Sequence, residues 1–427
     1  MTAVAELVSQ HFSVMDGELC IGGLSASSIA SQFGTPLFVY DAGIMEAQLK
    51  RLRAALPDRF EICYSVKANP NVAVLRHFLA LGCGLEIASA GEYHAAIAAG
   101  CPTTKIIFAG PGKTEQELEL VLAKGIGEIH VESSVELDRI VRLSQRLGVR
   151  ATVALRINPT GESQGGAMRM GGKAAPFGVD EELAAEMVDR MAKSPVLAFA
   201  GMHLFAGTQI LDHEVLLTQY RKGVELARSL AMRVQRPLAT VDFGGGLGVP
   251  YFANEQPLNL VGLREGLDAL MRTIQSDPWF KGTRFLVEPG RFLVGESGIF
   301  VASVTDVKVS RGKRFVILDG GMNAHLAASG NLGQTIKRNY PIGILNKMNA
   351  VTTVTADVVG PLCTPLDTLG RNVDLADPEI GDLIGVFLSG AYGLTASPMA
   401  FLSHPIPPEV LVEAGVLCRI RERGSYI

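Results

Sequence analysis

Eight apolar stretches recur along the middle of the chain, at residues 60–66, 84–89, 105–110, 128–133, 151–159, 196–207, 238–243 and 284–290. The first, Phe60-Glu-Ile-Cys-Tyr-Ser-Val66, alternates apolar and less apolar residues as a strand does. Val72, Leu75, Phe78 and Leu79 follow at helical spacings of three and four. Amphipathic segments at 113–124, 135–147, 181–192 and 215–234 separate later members of the series. Eight β-α repeats between residues 60 and 290 predict an α/β protein built on a closed (β/α)8 TIM barrel. A large open α/β sheet is the alternative.

Beyond Arg291 the texture changes. Residues 300–309 alternate, and 314–318, 350–359 and 382–388 also read as strands, with little helical periodicity between them. The expected organisation is a barrel over 29–290 and a second, C-terminal β domain over 291–427. Residues 1–28, with a short strand at 18–21, are expected to join the β domain.

Composition removes several function classes. Lys plus Arg number 39 and Asp plus Glu 43, a formal net charge of −4, so no basic stripe predicts a nucleic-acid partner. No apolar run reaches the ~18 residues of a membrane span. The opening MTAVAELVSQHF has no basic segment followed by an apolar one, unlike a secretory signal. Six cysteines, Cys20, Cys63, Cys83, Cys101, Cys363 and Cys418, form no C-x-x-C pair. They read as free thiols of a cytoplasmic protein, and no metal is expected.

A barrel carries its active site at the C-terminal ends of its strands. The first strand ends in Tyr64-Ser-Val-Lys67-Ala-Asn-Pro70. A lysine there is costly to bury as an ammonium, and a neutral amine attacks carbonyls; alternatively it snorkels to the rim. The seventh ends in Asp242-Phe-Gly244-Gly245-Gly246, where absent side chains let backbone N–H groups approach an anion. Barrels commonly hold phosphate at this position, although a glycine run alone also describes a flexible turn. The eighth ends in Glu288-Pro-Gly-Arg291, a carboxylate for a protonated ring nitrogen and a guanidinium for phosphate, or an internal ion pair. The sixth carries His203, Phe205 and Thr208. In the β domain, 360–367 contains Cys363 between two prolines, and 389–393 contains Tyr392. An amine, a phosphate cradle and a carboxylate for a pyridine nitrogen together match the needs of pyridoxal 5'-phosphate.

The ordered motifs YSVKAN, GGGLG, EPGR, GPLC and GAYG resemble the fold-type III pyridoxal-phosphate decarboxylases, the group of diaminopimelate, ornithine and bacterial arginine decarboxylases. The similarity runs from Pro36-Leu-Phe-Val-Tyr-Asp41 to Pro408-Glu-Val-Leu-Val412. It implies an alanine-racemase-like barrel, pyridoxal phosphate as cofactor and a homodimer with shared active sites. By position, Lys67 would carry the cofactor as a Schiff base. Gly244, Gly245, Gly246 and Arg291 would hold the phosphate with help from Thr208 and Tyr392. Glu288 would pair with the pyridine nitrogen, Cys363 from the partner subunit would be the proton donor, and His203 would line the site. Arg291, Thr364 and Tyr392 would also face the substrate.

Departures from the family pattern bear on substrate. Phe205 replaces the histidine that stacks on the cofactor, and Glu86 replaces an aspartate. Thr364 stands where relatives place the acid that binds a distal amine, and 322–329 lacks the arginine that helps bind a far carboxylate. The wording of 363–367, Ser397-Pro398 and 401–405 is closer to a subgroup from secondary-metabolite and exopolysaccharide clusters, including exosortase-associated enzymes and others acting on carrier-protein-bound aminoacyl groups. The expected function is decarboxylation of a small amino acid or an aminoacyl carrier protein. Diaminopimelate decarboxylase proper, a racemase and an inactive cofactor-binding regulator are the alternatives.

Overall fold

The computed structural model describes residues 3–160, 168–169, 174–205, 207–332, 334 and 336–425. Contacts divide the chain into two units. One comprises Lys50–Val249 and Pro257–Gly290; the other comprises residues up to Leu49, Pro250–Gln256 and those from Arg291 onward. The expected boundary at residue 29 is therefore moved: 29–49 group with the β unit. The reason is a strand at Leu37–Asp41, which among the described residues pairs with strands beyond Arg291.

The barrel of the first unit is closed by eight parallel strands, β1 Phe60–Ser65, β2 Gly84–Ile87, β3 Ile106–Phe108, β4 Glu128–Val131, β5 Ala151–Asn158, β6 Leu197–Leu204, β7 Thr240–Asp242 and β8 Arg284–Val287, with the two-residue strand Val179–Asp180 added in parallel on β5. Each of the eight apolar stretches supplies one. Pairing runs β1 to β2, β3, β4, β5, β6, β7 and β8 in turn, and β8 pairs back on β1, so the sheet closes. The open-sheet alternative is excluded. Strand periodicity divides each strand between interior and helix-facing sides. On the outer side Phe60, Phe243 and Phe285 stack at centroid distances of 5.5–5.9 Å, and Tyr220 of the helix His213–Arg233 packs on Phe243. The helix Ser134–Leu147 shows the local logic. Ser133 caps it by accepting from Glu136 N, Leu137, Ile140 and Leu143 bury its inner face, and Gly148 closes it at φ 66°.

The second unit is built on β9 Gly298–Ser310, β10 Lys313–Leu318, β11 Ile342–Ile344, β12 Val354–Val359, β13 Thr368–Leu375, β14 Leu383–Val386, β15 Glu409–Glu413 and β16 Val416–Arg421. Its main sheet runs β13-β12-β10-β9, then Leu37–Asp41, then β15-β16, while β14 pairs β9 and β11. The strands β11, β13, β15 and β16 lie outside the apolar stretches singled out in the sequence. β13 and β16 carry too many polar residues for hydropathy to reveal them. Among the described residues no helix is long and apolar enough to cross a membrane.

Candidate active site

The C-terminal ends of the barrel strands bring together Lys67, Glu86, His203 and Glu288, with the glycine run following β7. Lys67 lies in a single 3-10 turn, Val66–Ala68, directly after β1. Its Nζ sits 2.9 and 3.1 Å from the two oxygens of Glu86, which is buried at the end of β2 and also accepts from Ser65 Oγ. The Lys67 side chain is 43% exposed. Of the two readings offered by the sequence, burial and snorkelling to the rim, this exposure fits the second: Lys67 stands at the barrel mouth beside a buried carboxylate.

The glycine run is an obligate close-packed turn. A Cβ on Gly245 would lie 2.5 Å from the carbonyl oxygen of Glu288, and Gly246 adopts φ 98° with a Cβ position 2.8 Å from Gly207 O. Gly244 N donates to Asp242 Oδ1 at 2.7 Å, and Glu288 N donates to Gly244 O at 2.8 Å. Among the described residues neither the Gly245 nor the Gly246 N–H finds an acceptor. Two such donors after the seventh strand fit an anion. Phe205 and Thr208 are half-buried beside this turn, and the Arg156 guanidinium lies 6.0 Å from the Phe205 ring centroid.

Below this mouth lies a polar core of which the motif reading found His203 and Glu288 but not His130 or Asp242. His203 Nε2 is 3.4 Å from Glu288 Oε2; His130 Nδ1 is 4.0 Å from Glu288 Oε1. The two imidazoles stand 4.4 Å apart, and Asp242 Oδ2 is 3.9 Å from His130 Nε2. Burial pushes His203 down to about 4, with the charge of Glu288 acting against it. Burial and then the charge of Glu288 hold the Asp242 carboxyl well above the usual range. For Glu288 burial acts upward, but His203 and His130 outweigh it and hold the carboxyl below its ordinary value. Glu288 Oε1, His130 Nδ1 and both His203 nitrogens are buried with no hydrogen-bond partner. An orphaned carboxylate oxygen in such a core fits the protonated ring nitrogen of pyridoxal phosphate. The missed signal was Glu128-Ile-His-Val-Glu132, whose alternation places polar groups on the inner face of β4.

A match over residues 42–295 to the family described as pyridoxal-dependent decarboxylase, pyridoxal binding domain, settles the class. The chain is a pyridoxal-dependent decarboxylase. This decarboxylase is 36% identical to L-glutamyl-[BtrI acyl-carrier protein] decarboxylase from Niallia circulans, over 93% of its own length and 94% of that protein. It is 33% identical to a diaminopimelate decarboxylase from Zymomonas mobilis, covering 97% and 96% of the two chains. The crystal structure of diaminopimelate decarboxylase from M. jannaschii in complex with L-lysine matches with a TM-score of 0.90 at 28% identity, covering 98% and 96%.

The β unit carries the remaining candidate residues of the enzyme. Arg291 Nη1 lies 3.2 Å from Tyr251 Oη, its guanidinium packs on the rings of Tyr392 and Tyr251, and its buried Nε has no partner. The aromatic faces hold the guanidinium while leaving a donor for an anion. Cys363 is exposed and Thr364 half-buried on a loop pinned by buried Asp367. The Asp367 carboxylate accepts from Met322 N at 2.6 Å and Leu362 N at 2.8 Å.

Proposed function

We propose that this decarboxylase is a cytoplasmic homodimer whose substrate is an α-amino acid with an uncharged or acylated distal end, foremost an aminoacyl group on a carrier protein. Bound pyridoxal phosphate supplies the sink for the electron pair released when the α-carboxylate leaves. Lys67 anchors the cofactor, with Glu86 and Ser65 orienting the amine. Gly244, Gly245 and Gly246, with Thr208, Arg291 and Tyr392, bind the phosphate. Glu288, kept anionic, takes the ring nitrogen. Phe205 would offer an apolar face beside the ring, and His203 would line the pocket. Cys363 of the neighbouring subunit holds the proton that the α-carbon receives. Arg291, Thr364 and Tyr392 face the substrate.

The observation carrying the substrate assignment is Thr364, an uncharged side chain beside the exposed Cys363, its hydroxyl engaged by Leu366 N at 3.3 Å. A second ammonium entering a water-excluded site without an acid partner costs roughly 3–5 kcal/mol. The name of the Niallia circulans relative supports a carrier-bound substrate. A second reading, diaminopimelate decarboxylase proper, is favoured by the Zymomonas mobilis relative.

Carbon dioxide release from free diaminopimelate, lysine, ornithine and glutamate, and from glutamate loaded on an acyl-carrier protein, tests the assignment. Preference for the loaded carrier is expected. Efficient turnover of free diaminopimelate would establish the second reading instead, and release from none of these substrates would favour the inactive regulator.

A further inference from the structure

Glu128 and His130 play no part in the assignments above, yet they occupy the centre of the barrel. Both are buried, His130 completely. Their side chains are bonded to each other: His130 Nε2 is 3.1 Å from Glu128 Oε1, and Glu128 Oε2 accepts from Thr240 Oγ1 at 2.8 Å. With Nε2 engaged by Glu128, the imidazole turns Nδ1 toward Glu288 Oε1, 4.0 Å away. Both of those atoms are buried and unpartnered.

A carboxylate taken out of water needs compensation on each oxygen, because an unpaired buried charge is strongly unfavourable. His203 faces Oε2 of Glu288, and His130 faces Oε1. An imidazole braced by a second carboxylate has its orientation fixed, and it serves Glu128 at Nε2 and Glu288 at Nδ1 together only with a proton on both ring nitrogens. The arrangement here is a chain from Thr240 through Glu128 and His130 to Glu288. Its far end reaches a cavity of about 690 Å³ at the N-terminal ends of the strands, which Glu128 lines with Gly84, Gly127 and Thr240.

We propose that Glu128 and His130 are positioning residues for Glu288, holding its carboxylate charged and aimed at the ring nitrogen of the cofactor. The proposal rests on the reading that this nitrogen meets Glu288. Other groups facing the relay are His203 from β6 and Asp242 from β7, while Lys113 donates to the His130 carbonyl oxygen at 2.7 Å. Arg156 from β5 acts on His203, Lys67 acts on Glu288, and Cys63 of β1 faces Asp242 and Glu288. Without the relay, burial favours moving the shared proton from the ring nitrogen onto the Glu288 carboxyl, turning an ion pair into a neutral hydrogen bond.

The test uses full-length enzyme reconstituted with pyridoxal phosphate labelled with 15N in the ring, and reads nitrogen protonation by NMR together with cofactor affinity. Wild type is expected to show a protonated nitrogen, and Glu288→Gln to lose it. Glu128→Gln, nearly isosteric, and His130→Gln are expected to retain the cofactor with about tenfold weaker affinity, or ~1.4 kcal/mol, and to show an unprotonated nitrogen. A protonated nitrogen in Glu128→Gln and His130→Gln, with Glu288→Gln unprotonated, would make the pair mere packing and overturn the proposal alone. A nitrogen still protonated in Glu288→Gln would overturn the proposal together with the reading beneath it.

Discussion

The inner face of the barrel and the loop at 360–367 of the β unit hold chemistry in opposite ways. In the barrel His130, His203, Asp242 and Glu288 are buried on strands, where low dielectric sets which of them carries charge. In the β unit a buried aspartate, Asp367, pins a loop that leaves Cys363 in solvent. Groups that must hold a cofactor in one charge state gain from rigidity and desolvation. A thiol exposed in its own chain suits service in a neighbouring subunit's site. The contrast teaches that the buried charged groups sit on barrel strands, whereas the proposed proton donor and the residues proposed to face the substrate, Arg291, Thr364 and Tyr392, sit on the other unit.

The contrast can be broken first at Lys67. Lys67→Ala should lower decarboxylation by on the order of 10⁴-fold or more, and borohydride should then fix no cofactor on the chain. Mass spectrometry of reduced wild type should find the label on Lys67; a label on another lysine would remove the barrel side of the comparison. The loop is probed by substrate choice. Thr364→Glu should improve the ratio of diamino-acid to native-substrate turnover by about 10²–10³-fold, the equivalent of pairing a charge worth roughly 3–5 kcal/mol. An unchanged ratio would take Thr364 out of the substrate pocket.

Sharing between subunits predicts a smaller effect. Mixing Cys363→Ala with Lys67→Ala chains under conditions of exchange should restore up to about a quarter of the wild-type sites, from random pairing in a symmetric dimer. Absence of recovery, with exchange verified by mass, would confine the thiol to its own subunit.

The smallest expected effect compares one buried histidine in each unit. Burial pushes His203 in the barrel down to about 4 and His325 in the β unit down to about 3, where Ser389 Oγ is its neighbour at 2.8 Å. In the unfolded chain both titrate near ~6.5. As pH falls below that value the unfolded state takes up protons that the folded state refuses, so stability is lost down to the folded pKa. Between about pH 7.5 and 5.5 each should contribute a loss of ~1.4 kcal/mol. His325→Gln should remove one such increment, measured by urea unfolding at the two pH values, while leaving the His203 contribution in place.

The sequence alone determined the eight-strand barrel, because parallel strands buried on both faces must be written as short apolar runs at regular spacing. It also determined the family, because Lys67, the run 244–246, Glu288, Arg291 and Cys363 occur in the right order with recognisable neighbours. The strand at Leu37–Asp41 was equally apolar, yet its membership of the β unit was decided by pairing with β9 and β15, hundreds of residues away in the chain. Tertiary structure alone decided that Lys67 is met by Glu86, that Tyr251 and Tyr392 sandwich Arg291, and that Glu128 and His130 back Glu288. Hydropathy and local motif record what each residue prefers. Which buried charge faces which is a property of strand register and barrel closure, and only the folded sheet fixes those.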